Sequence, residues 1–280
     1  MSTSALVTAL VDDAALFPPG NAPMAQAVPD HLAHLTSWYA PVVGPFLCPA
    51  SRVPEAAAAT PGPINVRIVA DTGIGGISPA VDTLASDDRL RLAGVEVPLP
   101  AEAPEAAARR AVAALDAALG GPDESKPGYV EPARAPGWRA ALEVLAESGY
   151  LAKLRTGGVT PDAFPHEAEV AEFVLGCLDL GVAFKCTAGL HRAVRHTADD
   201  GTEQHGFLNV ILAVAAGVDG ADAASVTAVL AERDKDNVSN QLRGLDERRA
   251  GSVRRWLTSF GSCIVIEPVE DLLAFGLIEK

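Results

Sequence analysis

Two lysines stand in the middle of short apolar stretches, Lys153 within 151–158 (LAKLRTGG) and Lys185 within 182–191 (VAFKCTAGLH). Each stretch reads as a strand ending in a glycine-bearing turn, so each lysine lies where the surrounding chain favours burial. A lysine at its ordinary pKa of about 10.4 is protonated at neutral pH and cannot attack a carbonyl. Neighbouring strands lie about 4.8 Å apart. Two ammonium groups about 5 Å apart, at an effective dielectric of about 20, repel by about 3 kcal/mol. That lowers one pKa by about two units, and partial burial adds to the effect. One lysine then becomes a usable amine, the arrangement expected for Schiff-base catalysis, and its neighbour stays charged and assists proton transfer.

The elements that must hold these lysines can be counted. Strand-like apolar runs alternate with helical patterns along the chain, as expected of βα units around a parallel sheet. Strands are expected at 14–17, 45–48, 65–71, 90–97 and 129–131, at the two lysine stretches, and at 263–267. Helices are expected at 2–12, 24–39, 54–59, 104–119 and 137–148, in the stripe Val170, Phe173, Val174, Cys177 and Leu178, and at 269–278. Eight such units in 280 residues fit a (β/α)₈ TIM barrel, an α/β fold. No polar linker divides the chain, so residues 1–280 read as one barrel domain. A helical insertion at about 190–260, with helices at 207–216, 221–233 and 239–260, leaves from the catalytic end after strand seven, where part of it could cover the site.

Alternate strand residues face opposite sides, which tests this reading. Val66, Ile68 and Ala70 share one parity, Arg67 and Asp71 the other; Val95 and Val97 flank Glu96. Ala152 and Leu154 oppose Lys153 and Arg155, Phe184 and Cys186 oppose Lys185 and Thr187, and Ile264 and Ile266 oppose Glu267. Charges thus point inward, where a structural barrel carries branched apolar residues. Asp71, Glu96, Glu131, Lys153, Arg155, Lys185 and Glu267 are too many for packing alone. A set of internal salt bridges is the plain alternative, but buried ion pairs bring little net stability.

These residues carry a resemblance. Lys153-Leu-Arg-Thr156-Gly157 is similar to the K-x-x-T-G of strand six in deoxyribose-phosphate aldolase, and Lys185-Cys-Thr-Ala-Gly189 resembles the K-x-x-G-G of its strand seven. Val11-Asp12-Asp13-Ala14-Ala15-Leu16-Phe17-Pro18 is similar to that family's N-terminal I-D-H-T-L-L-K-P, and Leu47-Cys48-Pro49 to its strand-two cysteine. The resemblance implies Lys153 as Schiff-base lysine, Lys185 as its pKa-lowering neighbour, Glu96 as proton shuttle in place of an aspartate, and Asp12 and Cys48 lining the site. Thr156, Thr187, Asp71, Glu131, His191, Arg192 and Glu267 complete the expected substrate-binding set. The chain departs from the family where 265–268 (VIEP) replaces a small-residue phosphate-binding turn. Glu267 there would repel a phosphate, so an unphosphorylated aldehyde, ketone or keto acid is expected. Arg155, with Arg192 or Arg195, could clamp a carboxylate.

The expected activity is that of a class I aldolase-like carbon–carbon lyase needing no cofactor and no metal. Two other readings remain. His191, His196 and His205, with Glu267 or Asp71, could hold a divalent metal for a hydrolase or lyase, although they lack HxH or i, i+4 spacing. A barrel that only binds a metabolite or a protein partner is the third.

A formal charge of -14 disfavours nucleic acid and anionic membrane as partners. No apolar run approaches the roughly 20 residues of a membrane span, and 1–16 lacks the basic start of a signal peptide, so a cytoplasmic protein is expected. Cys48, Cys177, Cys186 and Cys263 form no CxxC pattern and read as reduced thiols. The sequence leaves a monomer and a homo-oligomer equally open.

Overall fold

Short apolar strands and capped helices alternate, and eight parallel strands close on one another. The computed structural model describes residues 4–280. In chain order the strands are β1 (Val11–Asp13), β2 (Val43–Pro49), β3 (Ile64–Val69), β4 (Leu90–Pro98), β5 (Gly128–Glu131), β6 (Leu151–Arg155) and β7 (Phe184–Thr187), then the short β8 (His196–Thr197) and β9 (Glu203–Gln204), and finally β10 (Leu257–Ser262). The barrel runs β1-β2-β3-β4-β5-β6-β7-β10 and back to β1, while β8 and β9 form a separate antiparallel hairpin. This is the expected (β/α)₈ TIM barrel. No helix among the described residues is long and apolar enough to cross a membrane.

Local signals set the helix ends. Pro104–Leu119 starts on proline, whose missing N–H costs nothing there, and stops at Gly120 with φ 82°. Glu167–Leu180 opens with a capping box in which the Glu169 carboxylate accepts from the His166 N–H at 2.7 Å. Asp222, Asp234 and Asp246 each accept from backbone N–H groups at the start of their helices.

Strand parity separates two environments. The outer face packs on helices: Phe46 meets His31 of the helix Met24–Leu35, Phe184 meets Phe173 of Glu167–Leu180, and Phe260 stacks on Phe207 of Phe207–Val218. The inner face carries Asp12, Arg67, Glu96, Lys153 and Lys185, all buried. Within β1 the two acids diverge. Asp12 enters the barrel, and Asp13 turns outward to accept from buried His31 at 2.9 Å.

Four expectations about elements are corrected. The first strand is Val11–Asp13 and not 14–17, since 14–17 leaves the barrel as a turn. The expected helix at 2–12 begins outside the described residues, and within them only Ser4–Val7 is helical. The last strand is Leu257–Ser262 and not 263–267: Cys263 to Val265 form a turn, and Glu267 lies in the first turn of the helix Ile266–Ala274. Ile264 and Ile266 of that apolar run are exposed, 42% and 37%. The insertion contains the β8–β9 hairpin and four helices, Phe207–Val218, Ala223–Ala231, Lys235–Arg243 and Glu247–Trp256, because the expected helix 239–260 breaks at Gly244 and gives way to strand at Leu257.

Candidate active site

The register of β6 on β7 pairs Lys153 with Lys185 and Arg155 with Thr187. Just beyond, the two backbones pass so closely that a Cβ on Gly157 would lie 2.8 Å from the Gly189 Cα, and Gly189 itself has φ 73°. Glycine is therefore required at both turns. Thr156 ties them together, its Oγ1 donating to the carbonyls of Thr187 at 3.1 Å and Ala188 at 2.6 Å.

The lysines do not face each other bare. Lys185 Nζ donates to Asp12 Oδ2 and to Glu96 Oε1, both at 2.5 Å. Lys153 Nζ lies 2.6 Å from Glu96 Oε2 and 3.0 Å from Glu131 Oε2. Glu131 also accepts from Arg155 Nε at 2.7 Å. Beneath them, Asp12 Oδ2 takes Arg67 Nη1 at 2.5 Å and the Ser259 hydroxyl at 2.8 Å. The Arg67 guanidinium covers the ring of Tyr129, whose hydroxyl pairs with Thr258 at 2.9 Å. The carboxylates of Asp12, Glu96 and Glu131 thus balance the cations of Arg67, Lys153 and Lys185, and Arg155 at the mouth is a fourth cation.

Burial opposes the charges of Lys153, Glu96 and Glu131, yet their partners prevail. For Lys153, burial pushes the ammonium down but Glu131 and Glu96 outweigh it and hold it above the usual lysine range. Burial would raise Glu96, but Lys153, Lys185 and Arg67 keep its carboxyl far below the carboxylate range. Glu131 is lowered against burial by Lys153 and then Arg155. The expected fall of the lysine pKa by mutual repulsion is therefore corrected for Lys153, because Glu96 stands between the two ammonium groups.

The lysines differ in how they are held. The hydrogen bonds of Lys185 are well directed, whereas Glu96 Oε2 and Glu131 Oε2, the oxygens nearest Lys153, receive no well-directed hydrogen bond. Lys153 is held between Glu131 and Glu96 at ion-pair distance. Lys153 also lines a cavity of 190 Å³ at the barrel mouth with Arg155, Thr187, His191, Glu96, Leu47, Phe17 and Cys263, while Lys185 lies beneath it, fully buried.

At the rim, His191 Nδ1 pairs with Glu267 Oε2 at 3.0 Å, and the His191 Nε2 has no hydrogen-bond partner among the described residues. Glu267 reaches the rim from a helix N-terminus, where an acid is favoured, not from a strand.

Other expected site residues lie elsewhere. Cys48 faces outward, fully buried, with burial raising its thiol to about 12, and Leu47 takes the inward position. Asp71 is exposed beyond the end of β3 and accepts from Ser51 N–H at 3.0 Å. Arg192 is half exposed and 4.0 Å from Asp271. Arg195 is buried against Glu167 and Glu203, inside the insertion. Thr156 braces the turns and does not line the cavity. Arg155 belongs to the strand's inward parity but is half exposed at its end, reaching back to Glu131.

The three histidines do not converge: His196 faces the Val194 carbonyl in the hairpin, and buried His205 lies between Arg195 and the Pro165 carbonyl. No three His, Cys, Asp or Glu side chains among the described residues are grouped to hold a metal. Of the insertion, only His191, in the loop after β7, lines the cavity among the described residues, with Ala188 just before it.

Sequence reasoning did not single out Tyr129 or Ser259. Tyr129 shares the inward parity of Glu131 but carries no charge to mark it, and Ser259 lies inside an expected helix. No protein-family model and no curated protein matches this chain.

Proposed function

We propose that this barrel is a class I aldolase-like lyase, with Lys153 forming an iminium with a small aldehyde, ketone or keto acid. The observation that carries this is the contrast between the lysines: Lys153 borders the mouth cavity, while Lys185 is fully buried and fixed by hydrogen bonds to Asp12 and Glu96. A nucleophile must reach substrate and give up its partners; a charge-setting neighbour must do neither. The motif likeness of Lys153 to Gly157 and Lys185 to Gly189 to deoxyribose-phosphate aldolase supports the same assignment.

Lys153 rests as an ammonium, so it must first pass a proton to Glu96 or Glu131, the carboxylates within reach. The neutral amine adds to the carbonyl, and the carbinolamine loses water to give the iminium. The cation then draws the electrons of the adjacent carbon–carbon bond as a base takes the proton from the β-hydroxyl, releasing an aldehyde and leaving an enamine. His191 is suited to be that base: its Nδ1 is paired with Glu267, and a neutral ring donating there presents the Nε2 lone pair to the substrate. The same proton returned to the enamine carbon regenerates the iminium for hydrolysis. The lysine supplies the electron sink, so this chemistry requires no cofactor.

Borohydride reduction with a panel of small aldehydes, ketones and keto acids, followed by peptide mass analysis, tests the assignment. The expected result is one reduced adduct, on Lys153. No adduct with any member would leave a barrel that binds without bond chemistry.

A further inference from the structure

Among the carboxylates touching the lysines, only Glu131 shares its charge with a cation able to leave. Asp12 is enclosed by Lys185 and Arg67, and Glu96 by the two lysines, all buried. Glu131 has one oxygen toward Lys153 and the other on Arg155 Nε, and the Arg155 side chain is 46% exposed and borders the same cavity as Lys153. No protein group accepts from the Arg155 Nη atoms among the described residues, so the guanidinium fork of this cavity-lining residue is open to a ligand.

We propose that Arg155 selects carbonyl substrates bearing a carboxylate, α-keto acids being the class that fits, and that its capture of that carboxylate releases Glu131 to take the proton of Lys153. This rests on the Schiff-base assignment of Lys153 and adds to it a substrate class and a trigger.

The trigger follows from the charges around Lys153. Facing it are Glu96 from β4, Glu131 from β5, Arg155 from its own strand and Lys185 from β7, with Asp12 of β1 and Arg67 of β3 behind Lys185. At rest Glu131 is stabilised as an anion by Lys153 and by Arg155. When a substrate carboxylate occupies the Arg155 fork, that second cation is neutralised. A unit charge about 4 Å away at an effective dielectric of about 20 changes a proton affinity by roughly a hundredfold or more. Glu131 then accepts one proton from Lys153, leaving a neutral amine beside the carbonyl that the same fork has positioned.

The protons balance. The amine nitrogen bonds to the carbonyl carbon, the carbonyl electrons move to oxygen, and a proton passes from nitrogen to that oxygen. Glu131 returns its borrowed proton to the resulting hydroxyl, which departs as water. The iminium cation then takes the place of the ammonium opposite an ionised Glu131.

The test measures cyanoborohydride trapping at Lys153 with pyruvate and with acetone at pH 7, each rate divided by that of the probe with butylamine. In the unmodified protein pyruvate is expected to exceed acetone by at least tenfold after this correction. Arg155→Met removes the anchor and also one of the two cations that keep Glu131 ionised. Pyruvate trapping should fall at least tenfold while acetone trapping rises several-fold, a crossover that loss of packing would not produce. Arg155→Lys keeps a charge without the fork, so pyruvate should fall several-fold with acetone unchanged; undiminished pyruvate preference there would overturn the recognition. Acetone trapping unchanged in folded Arg155→Met, judged by circular dichroism, would overturn the trigger. Equal corrected rates in the unmodified protein would overturn the inference and leave the Schiff base standing. No adduct from either probe would overturn both.

Discussion

Lys153 and Lys185 are paired in register across adjacent strands, and a single carboxylate, Glu96, divides its two oxygens between them at 2.6 and 2.5 Å. The relation is one of shared compensation and not of mutual repulsion. At rest the site holds its charges in balance, and the proposed reaction must begin with a proton moved inside the network.

Glu96→Gln removes the shared anion and leaves two ammonium groups side by side. Breaking a buried ion pair by removing one partner costs about 3–5 kcal/mol, so the variant should lose that much in urea denaturation at pH 7. Combining Glu96→Gln with Lys185→Met restores the balance of Asp12 with Arg67 and of Lys153 with Glu131. The double variant should be less destabilised than the two single losses added together, by about 1 kcal/mol or more. Strict additivity of the two losses would mean that Glu96 does not couple to Lys185.

The pH dependence of stability follows from the same charges. Glu96 and Glu131, held low in the folded protein, contribute in full above their unfolded values of about 4.3 and lose that contribution as pH falls through their folded values. Lys153, held high, contributes in full below about 10.4 and loses it as pH rises through its folded value. Between those limits these groups leave stability flat. Lys153→Met takes a cation from both glutamates and lessens their lowering, so the fall of the urea midpoint from pH 7 to pH 3 should be smaller than in the unmodified protein. Superimposable acid limbs would show that the two glutamates do not draw on Lys153.

Strand parity was legible because the outward residues are apolar and the inward ones charged, and this alone assembled Glu96, Glu131, Lys153 and Lys185. What misled was hydrophobicity at the ends. The run 263–267 resembles a strand, yet Ile264 and Ile266 are exposed, while the true strand, LTSFGS, is half polar because Ser259 serves Asp12 and Gly261 lies against Leu47 and Thr187. Val11–Asp13 was passed over for the same reason: two of its three residues are acids, one spent on Lys185 and one on His31. Parity also loses its hold at the last residue of a strand and beyond it. Asp71 and Arg155 both follow the inward parity, but one finds Ser51 outside and the other bends back to Glu131. The fall in lysine pKa could not be judged from the lysines alone, since its sign depends on where Glu96 comes to rest.

Gly44 lies beside Asp12, and a Cβ there would meet Asp12 Oδ1 at 2.3 Å. Gly44→Ala must therefore displace the carboxylate that holds Lys185, Arg67 and Ser259. Overpacking of this kind costs about 1–3 kcal/mol, and adduct formation at Lys153 should slow as Lys185 loses its anchor. Gly251, in the helix Glu247–Trp256 with open space around it, is the control: Gly251→Ala should be neutral or stabilising by up to about 1 kcal/mol. Equal effects at the two positions in chemical denaturation would dismiss the steric account.

The pair His191 and Glu267 separates the two halves of the proposed reaction. If His191 Nε2 carries the proton of the reacting carbon, His191→Asn should still give the reduced Lys153 adduct, because iminium formation draws on Glu96 and Glu131. The same variant should lose at least tenfold in exchange of the methyl protons of pyruvate with D₂O, read by proton NMR, since that exchange needs a base beside the enamine. Glu267→Gln keeps a hydrogen-bond acceptor for Nδ1–H but removes the negative charge that favours the imidazolium, so exchange should fall by a smaller factor. Exchange undiminished in His191→Asn, with the adduct intact, would move the base back into the barrel, to Glu96 or Glu131, and reduce His191 to a wall of the cavity.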